Sequence, residues 1–159
     1  KIYGAPPTQP SLVTLQALKS DYDALANIPD HRRRVSGAMI RAIDRSVGRI
    51  TQALDAQGLG DNTIVVLTSD NGAPHYIGLP EVNRPYRGWK LTLFEGGVRV
   101  PYVVRWPSKL KAGTDYAQPV SSIDLLPTIA AAAGAPLPAD REIDGANLLP
   151  YLSGEQAGP

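Results

Sequence analysis

The chain has 159 residues and carries 16 Lys and Arg against 15 Asp and Glu, so its formal net charge is +1. This balance leaves no surplus of cations to neutralise a run of phosphates, which argues against nucleic acid as a main partner. Hydrophobic residues make up 43% of the sequence and charged residues 19%, which excludes a disordered chain, and no segment approaches the roughly 18 apolar residues of a membrane span, so we expect a soluble protein.

The N-terminal third combines an irregular lead-in with one long helix. Prolines interrupt residues 1–30, which predicts irregular structure around one helix-compatible run from Ser11 to about Leu25. Apolar residues then recur at spacings typical of one helix face: Val35, Met39, Ile43, Val47, Ile50 and Leu54. Asp30 is a suitable N-cap and Gly58 a suitable C-cap. We therefore predict a helix that turns its apolar face to the core.

A continuous β-branched run follows at residues 63–68 and predicts a central strand buried on both faces. The run changes abruptly into Ser69, Asp70, Asn71 and Gly72. Ligands of open α/β sheets bind beyond the carboxyl ends of strands, so this turn is a candidate site. Residues 72–90 have no periodicity and form a long loop of the kind that is often functional.

The remaining elements complete an α/β order. Residues 98–106 are predicted to form a second strand, with Pro101 near its start. Residues 121–124 cap a short helix that Gly134 ends, and the apolar pair at 148–149 suggests one more helical turn. The order helix, strand, loop, strand, helix indicates helices packed on a mostly parallel sheet, and two or three strands make that sheet thin. We see no internal domain boundary within 1–159.

Two features carry chemistry. Asp70 and Asn71 are adjacent hard oxygen donors of the type that Ca²⁺ and Mg²⁺ prefer, although Asx-Gly turns are also common for purely structural reasons. Lys90 lies on a Gly-rich segment that leads into the second strand. From that position a cation can reach an anion above the sheet edge.

These segments together resemble the sulfatases of the alkaline-phosphatase superfamily, of the arylsulfatase and N-acetylgalactosamine sulfatase type. The resemblance covers four segments in order along about 110 residues: 40–72, 90–101, 121–128 and 144–150. It implies an alkaline-phosphatase-like layered fold that is partial in this chain, with residues 1–159 forming the C-terminal part of a catalytic domain.

The resemblance also implies roles for single residues. Asp70 and Asn71 would be two ligands of one Ca²⁺, and Lys90 would contact a sulfate oxygen. His75 would face the pocket or, as loop histidines more often do, remain solvated. Aromatic residues near the site would line a substrate site or pack under the loop: Tyr76, Tyr86 and Trp89. Charged neighbours are interpreted as a scaffold for the Lys90 turn: Arg87, Glu95 and Arg99.

Departures from the family pattern limit what this chain does alone. The family nucleophile is a formylglycine made from Cys or Ser, and the sequence has neither a cysteine nor a matching serine signature. The further Ca²⁺ ligands and the other sulfate-binding Lys and His residues are also missing. The chain is therefore either a fragment of a longer enzyme or a truncated relative that binds without turnover, and by itself we expect it to be inactive.

Two alternative functions stay open at this point. One is a phosphatase, phosphodiesterase or phosphonate hydrolase of the same superfamily, which typically presents Asp-His where this chain has Asp70 and Asn71. The other is a non-catalytic anion-binding module. The substrate is expected to be a sulfated small molecule or carbohydrate, and the resemblance favours a periplasmic or secreted location. The sequence does not identify the sulfate ester or the oligomeric state.

Overall fold

The computed structural model describes residues 2–4 and 15–157. The predicted run from Ser11 therefore begins outside the described residues. The chain divides into two compact units whose segments interleave along the sequence. The first comprises the described residues up to Gly60 together with Val66–Val103, and the second comprises Asp61–Val65 and the described residues from Val104 onwards. The prediction that residues 1–159 form part of one catalytic domain stays a prediction.

The N-terminal segment of the first unit contains short regular elements. Strand β1, Ile2–Gly4, pairs antiparallel with β2, Gln16–Leu18, and helix α1, Lys19–Asp23, follows directly. The prediction of an irregular lead-in was therefore wrong for these residues. Strands of three residues carry little periodicity, and each exists because its partner, distant in sequence, satisfies its backbone hydrogen bonds.

Helix α2, His31–Ala56, confirms the predicted long helix and its N-cap. The side chain of Asp30 accepts a hydrogen bond from the backbone N–H of Arg33 at 2.7 Å, and the chain leaves the helix through Gly58, whose φ is +68°. Gln57 rather than Gly58 is the C-cap residue. The N–H groups of the first helical turn have no acceptor within the helix, and the Asp30 side chain provides one for Arg33.

The apolar face of α2 is buried only at its beginning. Val35 and Ala38 are fully buried, and they form a cluster with the buried residues Leu15 and Ala17. Three partly buried side chains pack against this cluster: Tyr22, Leu25 and Ile77. Further along the predicted stripe the side chains are exposed: Met39, Ile43 and Ile50. The prediction of a core-facing helix was therefore correct only for the first turns, because β2 and α1 cover no more than that part of the helix.

A buried carboxylate links α1 to α2. Asp21 is 2% exposed, and both of its oxygens accept hydrogen bonds from the guanidinium of Arg45, one of them at 2.9 Å. Arg41 lies further away, with its Nε 3.9 Å from Asp21 Oδ1. Hydrogen bonding from Arg45 holds the pKa of Asp21 below its ordinary value of 3.8. The planar guanidinium matches the carboxylate in a bidentate pair.

Replacing Arg45 by alanine should destabilise the intact protein near neutral pH, because it leaves the buried carboxylate of Asp21 without its bidentate partner. The pKa of Asp21 is lowered in the folded state, so the pair contributes stability above about pH 3.8, and that contribution is lost as the pH falls through the folded pKa. The loss of stability in Arg45→Ala, measured by urea unfolding, should therefore be larger at pH 7 than at about pH 3.

Arg41→Ala is the matched control for this prediction, since Arg41 faces the same carboxylate without a hydrogen bond. It should cost clearly less than Arg45→Ala at pH 7. Equal losses in the two variants, or a loss that does not depend on pH, would contradict the assignment of the bidentate pair as the stabilising contact.

The strands that bear the candidate site are short. Strand β3, Val65–Thr68, forms a two-stranded sheet with β4, Tyr102–Arg105, and the one-turn helix α3, Glu95–Val98, precedes β4. Leu67 is 40% exposed, so the prediction of a strand buried on both faces was wrong within the described residues. The second strand also begins later than predicted, because residues 95–98 are helical and Pro101 stands before the strand.

The second unit confirms the predicted capped helix. Ser121 and Asp124 form a capping box at a 3-10 turn, and helix α4, Leu125–Ala132, follows. Asp124 also accepts a hydrogen bond from the backbone N–H of Ala146 at 2.8 Å, and Thr128 Oγ1 accepts one from the N–H of Leu148 at 2.9 Å. Two polar side chains of the capped helix thereby hold the closing loop against it.

Helix α5, Leu149–Leu152, is the predicted last helical turn. Leu148, just before α5, is 2% exposed, and its backbone N–H is the one that donates to Thr128 of α4. Among the described residues, no helix is long and apolar enough to cross a membrane.

Candidate functional site

Asp70 and Asn71 follow β3 directly, as the sequence predicts. Ser69 Oγ donates a hydrogen bond to the carbonyl oxygen of Asn71 at 3.0 Å, and Asn71 Nδ2 donates to the carbonyl oxygen of Gly72 at 3.4 Å. Within the described chain, neither the carboxylate of Asp70 nor Oδ1 of Asn71 has a hydrogen-bond or ion-pair partner. The oxygens that a cation would need are therefore not used to hold the turn.

The turn after β3 is in direct backbone contact with the segment that leads into β4. The N–H of Gly72 donates to the carbonyl oxygen of Gly97 at 2.8 Å. A Cβ on Gly72 would lie 1.8 Å from the carbonyl oxygen of Gly96, so only glycine allows the two backbones to approach this closely. The glycines of the two motifs, 70–72 and 95–99, serve to join them.

Lys90 is at the corner of a tight turn. The N–H of Thr92 donates to the carbonyl oxygen of Trp89 at 2.9 Å, and Leu91 has a φ of +78°. A positive φ at the third residue alone is typical of a type II turn, in which glycine is preferred. The sequence places a fully exposed leucine there instead, so the turn holds a conformation that costs a non-glycine residue about 1–2 kcal/mol.

The backbone of Lys90 joins this turn to the Asp70–Asn71 turn. The N–H of Lys90 donates to the carbonyl oxygen of Ala73 at 3.3 Å. Lys90 is half-buried, and its ammonium has no ion-pair or hydrogen-bond partner within the described residues. The fold therefore joins the backbone of the lysine segment to the segment that follows Asn71, while the convergence of the three side chains and their functional roles stay predictions.

Three charged residues near Lys90 in sequence have partners within the same loop region. Arg99 follows α3, its Nη1 lies 3.3 Å from Glu95 Oε2, and its guanidinium lies 4.6 Å from the ring centre of Tyr86. The guanidinium of Arg87 lies 4.0 Å from the ring centre of Phe94. These cations have partners inside the loop, unlike Lys90. The interpretation of Arg87, Glu95 and Arg99 as a scaffold for the Lys90 turn stays a prediction.

His75 and the loop aromatics pack at the surface. His75 begins a 3-10 turn, His75–Ile77, and its ring centre lies 4.8 Å from that of Trp89 in a tilted arrangement. Both side chains are exposed, as is Tyr76. The position of His75 beside Trp89 keeps it near the Lys90 turn. Whether it or the aromatic rings contact a substrate stays a prediction.

One residue of the site gave no signal in the sequence. Asn83 lies in the loop before Lys90, and its side-chain amide makes three hydrogen bonds to the backbone at Ala73 and Gly88. A single asparagine in an aperiodic loop is indistinguishable from a solvated turn residue, because its partners are defined by chain segments 5 and 10 residues away. Only the tertiary structure identifies it.

The donor set fits a hard divalent cation in part. Asp70 and Asn71 provide a carboxylate and an amide oxygen, the ligand types that Ca²⁺ prefers, and Ca²⁺ takes about six to eight oxygens. The described residues contain no group of three or more His, Cys, Asp or Glu side chains that would hold a metal ion. These two residues fit the role of a partial calcium ligand set rather than a self-sufficient site.

Replacing Gly72 by alanine should destabilise the intact protein by about 1–3 kcal/mol, the usual range for overpacking. The added Cβ would overlap the carbonyl oxygen of Gly96, which is backbone and cannot swing aside. The matched control is Gly48→Ala in the interior of α2, where an added Cβ meets nothing within 4 Å. That variant should gain about 1 kcal/mol from helix propensity.

Urea unfolding of both variants measures the difference between them. A Gly72→Ala protein that is as stable as the Gly48→Ala protein would show that the two backbones do not approach each other as closely as described.

The chain is similar to known sulfatases in sequence and structure. The family model described as Sulfatase matches residues 6–135. Steryl-sulfatase of Rattus norvegicus is 44% identical over 124 residues, covering 74% of this chain and 22% of the relative. N-acetylgalactosamine-6-sulfatase of Homo sapiens is 45% identical over 119 residues, covering 73% of this chain and 23% of the relative.

A solved structure gives the same result. The crystal structure of Ps i-CgsB in complex with k-i-k-neocarrahexaose superposes with a TM-score of 0.83 at 37% identity, covering 94% of this chain and 32% of that one. The structural neighbours are sulfatases with the alkaline-phosphatase-like fold, which confirms the predicted partial α/β fold. The chain spans about a fifth of the length of the curated relatives it matches. With a family model matched along most of its length, this chain belongs to the sulfatase family.

Proposed function

We propose that the intact protein containing this chain is a Ca²⁺-dependent sulfatase that hydrolyses sulfate esters, and that this chain supplies part of its metal site and one cation for the sulfate group. The observation that carries the proposal is the hydrogen bond from the Lys90 N–H to the carbonyl oxygen of Ala73 at 3.3 Å. It joins a lysine turn to a turn bearing two hard oxygen donors, on a chain of the sulfatase family.

The roles of the residues follow from their chemistry. Asp70 and Asn71 would bind the cation through side-chain oxygens that have no partner among residues 2–4 and 15–157. A bound Ca²⁺ supplies Lewis-acid stabilisation of the charge that develops on the sulfate oxygens. Lys90 would bind a sulfate oxygen as a compact point charge, a role for which a flexible ammonium is suited. Both groups lie on segments joined by a backbone hydrogen bond, which supports the proposal that they bind the same anion.

The nucleophile is proposed to be a formylglycine that lies outside this chain, since the sequence has no cysteine. With neither a cysteine nor a matching serine signature, residues 1–159 offer no precursor from which that formylglycine could be made. We expect these residues expressed alone to be inactive towards sulfate esters and to bind Ca²⁺ poorly, because two ligands fall short of the roughly six to eight that Ca²⁺ takes.

The substrate is proposed to be a sulfated carbohydrate or another sulfated small molecule. The relatives differ in what their names state, from a steryl sulfate to N-acetylgalactosamine-6-sulfate, and one structural neighbour holds a neocarrahexaose. The loop 73–89 carries the exposed rings of Tyr76 and Trp89, and it is the segment of this chain that we expect to contact the rest of the substrate. A periplasmic or secreted location is part of the same proposal.

The test is a comparison of 4-nitrophenyl sulfate with 4-nitrophenyl phosphate as substrates of the intact protein. We expect turnover of the sulfate ester, its loss after treatment with EGTA, and its recovery with Ca²⁺. Preferred turnover of the phosphate ester with Zn²⁺ or Mn²⁺ would instead support the phosphatase alternative. It would show that the amide oxygen of Asn71 does not make the site selective for Ca²⁺. Binding of sulfate without turnover of either ester would support the non-catalytic alternative.

A further inference from the structure

We propose that Asn83 is a positioning residue that holds the lysine turn and the metal-ligand turn at a fixed separation. The inference deepens the proposed function and rests on it, since it assigns Asn83 a role through Lys90 and the Asp70–Asn71 turn. Asn83 itself is not expected to touch the sulfate group. Its importance comes from the backbone groups that its side chain connects.

The side-chain amide of Asn83 uses both of its hydrogens and its oxygen. Oδ1 accepts a hydrogen bond from the N–H of Ala73 at 3.0 Å. Nδ2 donates to the carbonyl oxygen of Ala73 at 2.9 Å and to the carbonyl oxygen of Gly88 at 3.1 Å. The amide thus pairs with both backbone groups of Ala73 as a neighbouring β-strand would, and it reaches a second segment with its remaining hydrogen.

The backbone groups that Asn83 connects lie next to the metal-ligand turn and the lysine turn. Ala73 directly follows Gly72, whose N–H is bonded to Gly97, and Gly88 lies two residues before Lys90. The carbonyl oxygen of Ala73 also accepts the N–H of Lys90 at 3.3 Å. The carbonyl oxygen of Ala73 therefore accepts hydrogen bonds from both the Asn83 side chain and the Lys90 N–H. Through Ala73 and Gly88, the Asn83 side chain is bonded to the segments that carry both turns.

Asn83 is itself anchored, which allows it to transmit position. Its carbonyl oxygen accepts the N–H of Tyr86 at 2.9 Å in a closed turn, and the residue is half-buried. The ring of Tyr86 in turn lies under the guanidinium of Arg99. Groups that orient the residues contacting a ligand often contribute about 10–100-fold to affinity or activity. The reacting groups must be held within about 0.5 Å of their productive places, which a hydrogen-bonded clamp provides.

No residue of similar size reproduces these bonds. An aspartate at position 83 keeps the acceptor for the Ala73 N–H but cannot donate to the carbonyl oxygens of Ala73 and Gly88. It would place negative charge against two carbonyl oxygens. Alanine leaves all three backbone groups without this partner. Both substitutions therefore remove the side-chain link between the two turns, which then depend on backbone hydrogen bonds such as that from Lys90 to Ala73, while Asp70, Asn71 and Lys90 stay chemically unchanged.

The test is a double-mutant cycle of Asn83→Ala and Lys90→Ala in the intact protein, with 4-nitrophenyl sulfate as substrate at saturating Ca²⁺. Asn83→Ala alone should lower kcat by about 10–100-fold. When Lys90→Ala is added to Asn83→Ala, kcat should fall by less than about tenfold further, because the lysine is already misplaced. In the unchanged protein the same substitution should lower kcat by about 10²–10³-fold. Asn62→Ala, an exposed asparagine of the second unit, is the control and should leave kcat unchanged.

Multiplicative losses in the double variant would overturn the role of Asn83, because independent residues combine in that way. An unchanged rate in Lys90→Ala alone would instead overturn the proposed sulfate contact and, with it, the reason for a clamp. The two failures are therefore distinguishable in one experiment.

Hydrogen exchange of the metal-free protein gives a readout that does not depend on activity. In Asn83→Ala, deuterium uptake of peptides covering residues 88–97 should rise, because the Ala73 carbonyl that accepts the Lys90 N–H is no longer held by the Asn83 amide, while uptake in α2 stays unchanged. If Asn83→Ala does not fold, Asn83→Asp serves in its place, and it should likewise raise deuterium uptake at residues 88–97 and leave uptake in α2 unchanged. Unchanged uptake at 88–97 in a folded variant would overturn the proposal.

Discussion

Replacing Lys90 by alanine in the intact protein should lower kcat/KM for a sulfate ester by about 10²–10³-fold, on the order of 3–4 kcal/mol of transition-state stabilisation. The reason is that the backbone of Lys90 is bonded to Ala73, two residues after Asn71, and that its ammonium has no partner among the described residues. A preorganised charge of this kind acts where negative charge develops in the transition state. Steady-state kinetics with 4-nitrophenyl sulfate measure the loss.

Two variants make this prediction specific. Lys109→Ala removes an exposed lysine of the second unit and should leave kcat/KM unchanged. Lys90→Arg keeps the charge but replaces a point charge with a planar fork, so it should recover only part of the activity. Full activity in Lys90→Ala would mean that the lysine serves the turn and not the substrate. A distance above about 10 Å between Lys90 Nζ and Asp70 in a substrate-bound structure would lead to the same conclusion.

Replacing Asp70 by asparagine should weaken Ca²⁺ binding by more than the 10–100-fold that outer-shell changes produce, because a negatively charged ligand would be lost directly from the ion. The Ca²⁺ concentration that gives half-maximal activity should rise by that factor. The increase in the unfolding temperature that Ca²⁺ produces in the unchanged protein should also shrink, since ligand binding stabilises only the state that binds it.

Asp115→Asn is the matched control, because Asp115 is an exposed aspartate in the second unit, and its Ca²⁺ dependence should equal that of the unchanged protein. In a calcium-loaded structure, an oxygen of Asp70 and Oδ1 of Asn71 should both lie about 2.3–2.6 Å from the ion. An unaltered Ca²⁺ requirement in Asp70→Asn, or either side chain turned into the sheet, would contradict the metal assignment.

The contacts that hold the loop are made by residues other than the proposed site residues. The cations Arg87 and Arg99 are held by rings and by Glu95 within the same loop. The backbone of the loop is held by glycine contacts and by Asn83. None of these contacts uses the side chain of Asp70, Asn71 or Lys90. Separation of this kind lets a site hold charged groups without pairing them with each other.

Local signals determined much of this protein without reference to its fold. The stripe after Asp30 predicted α2 because a helix repeats every 3.6 residues, and Ser121 with Asp124 predicted the capped start of α4 because a capping box lies within four residues. The change from the 63–68 run to Asp70 and Asn71 marked the strand end. The ordered motifs also identified the sulfatase family.

Tertiary structure alone decided how those signals combine. The pairing of β1 with β2, the clamp of Asn83 and the close contact of Gly72 with Gly96 each depend on segments that are distant in sequence. The extent of burial on α2 was also decided in this way, because an apolar stripe states which face avoids water but not how much of it other elements cover. Periodicity and capping are properties of neighbouring residues, whereas backbone contacts and burial arise only when separate segments meet.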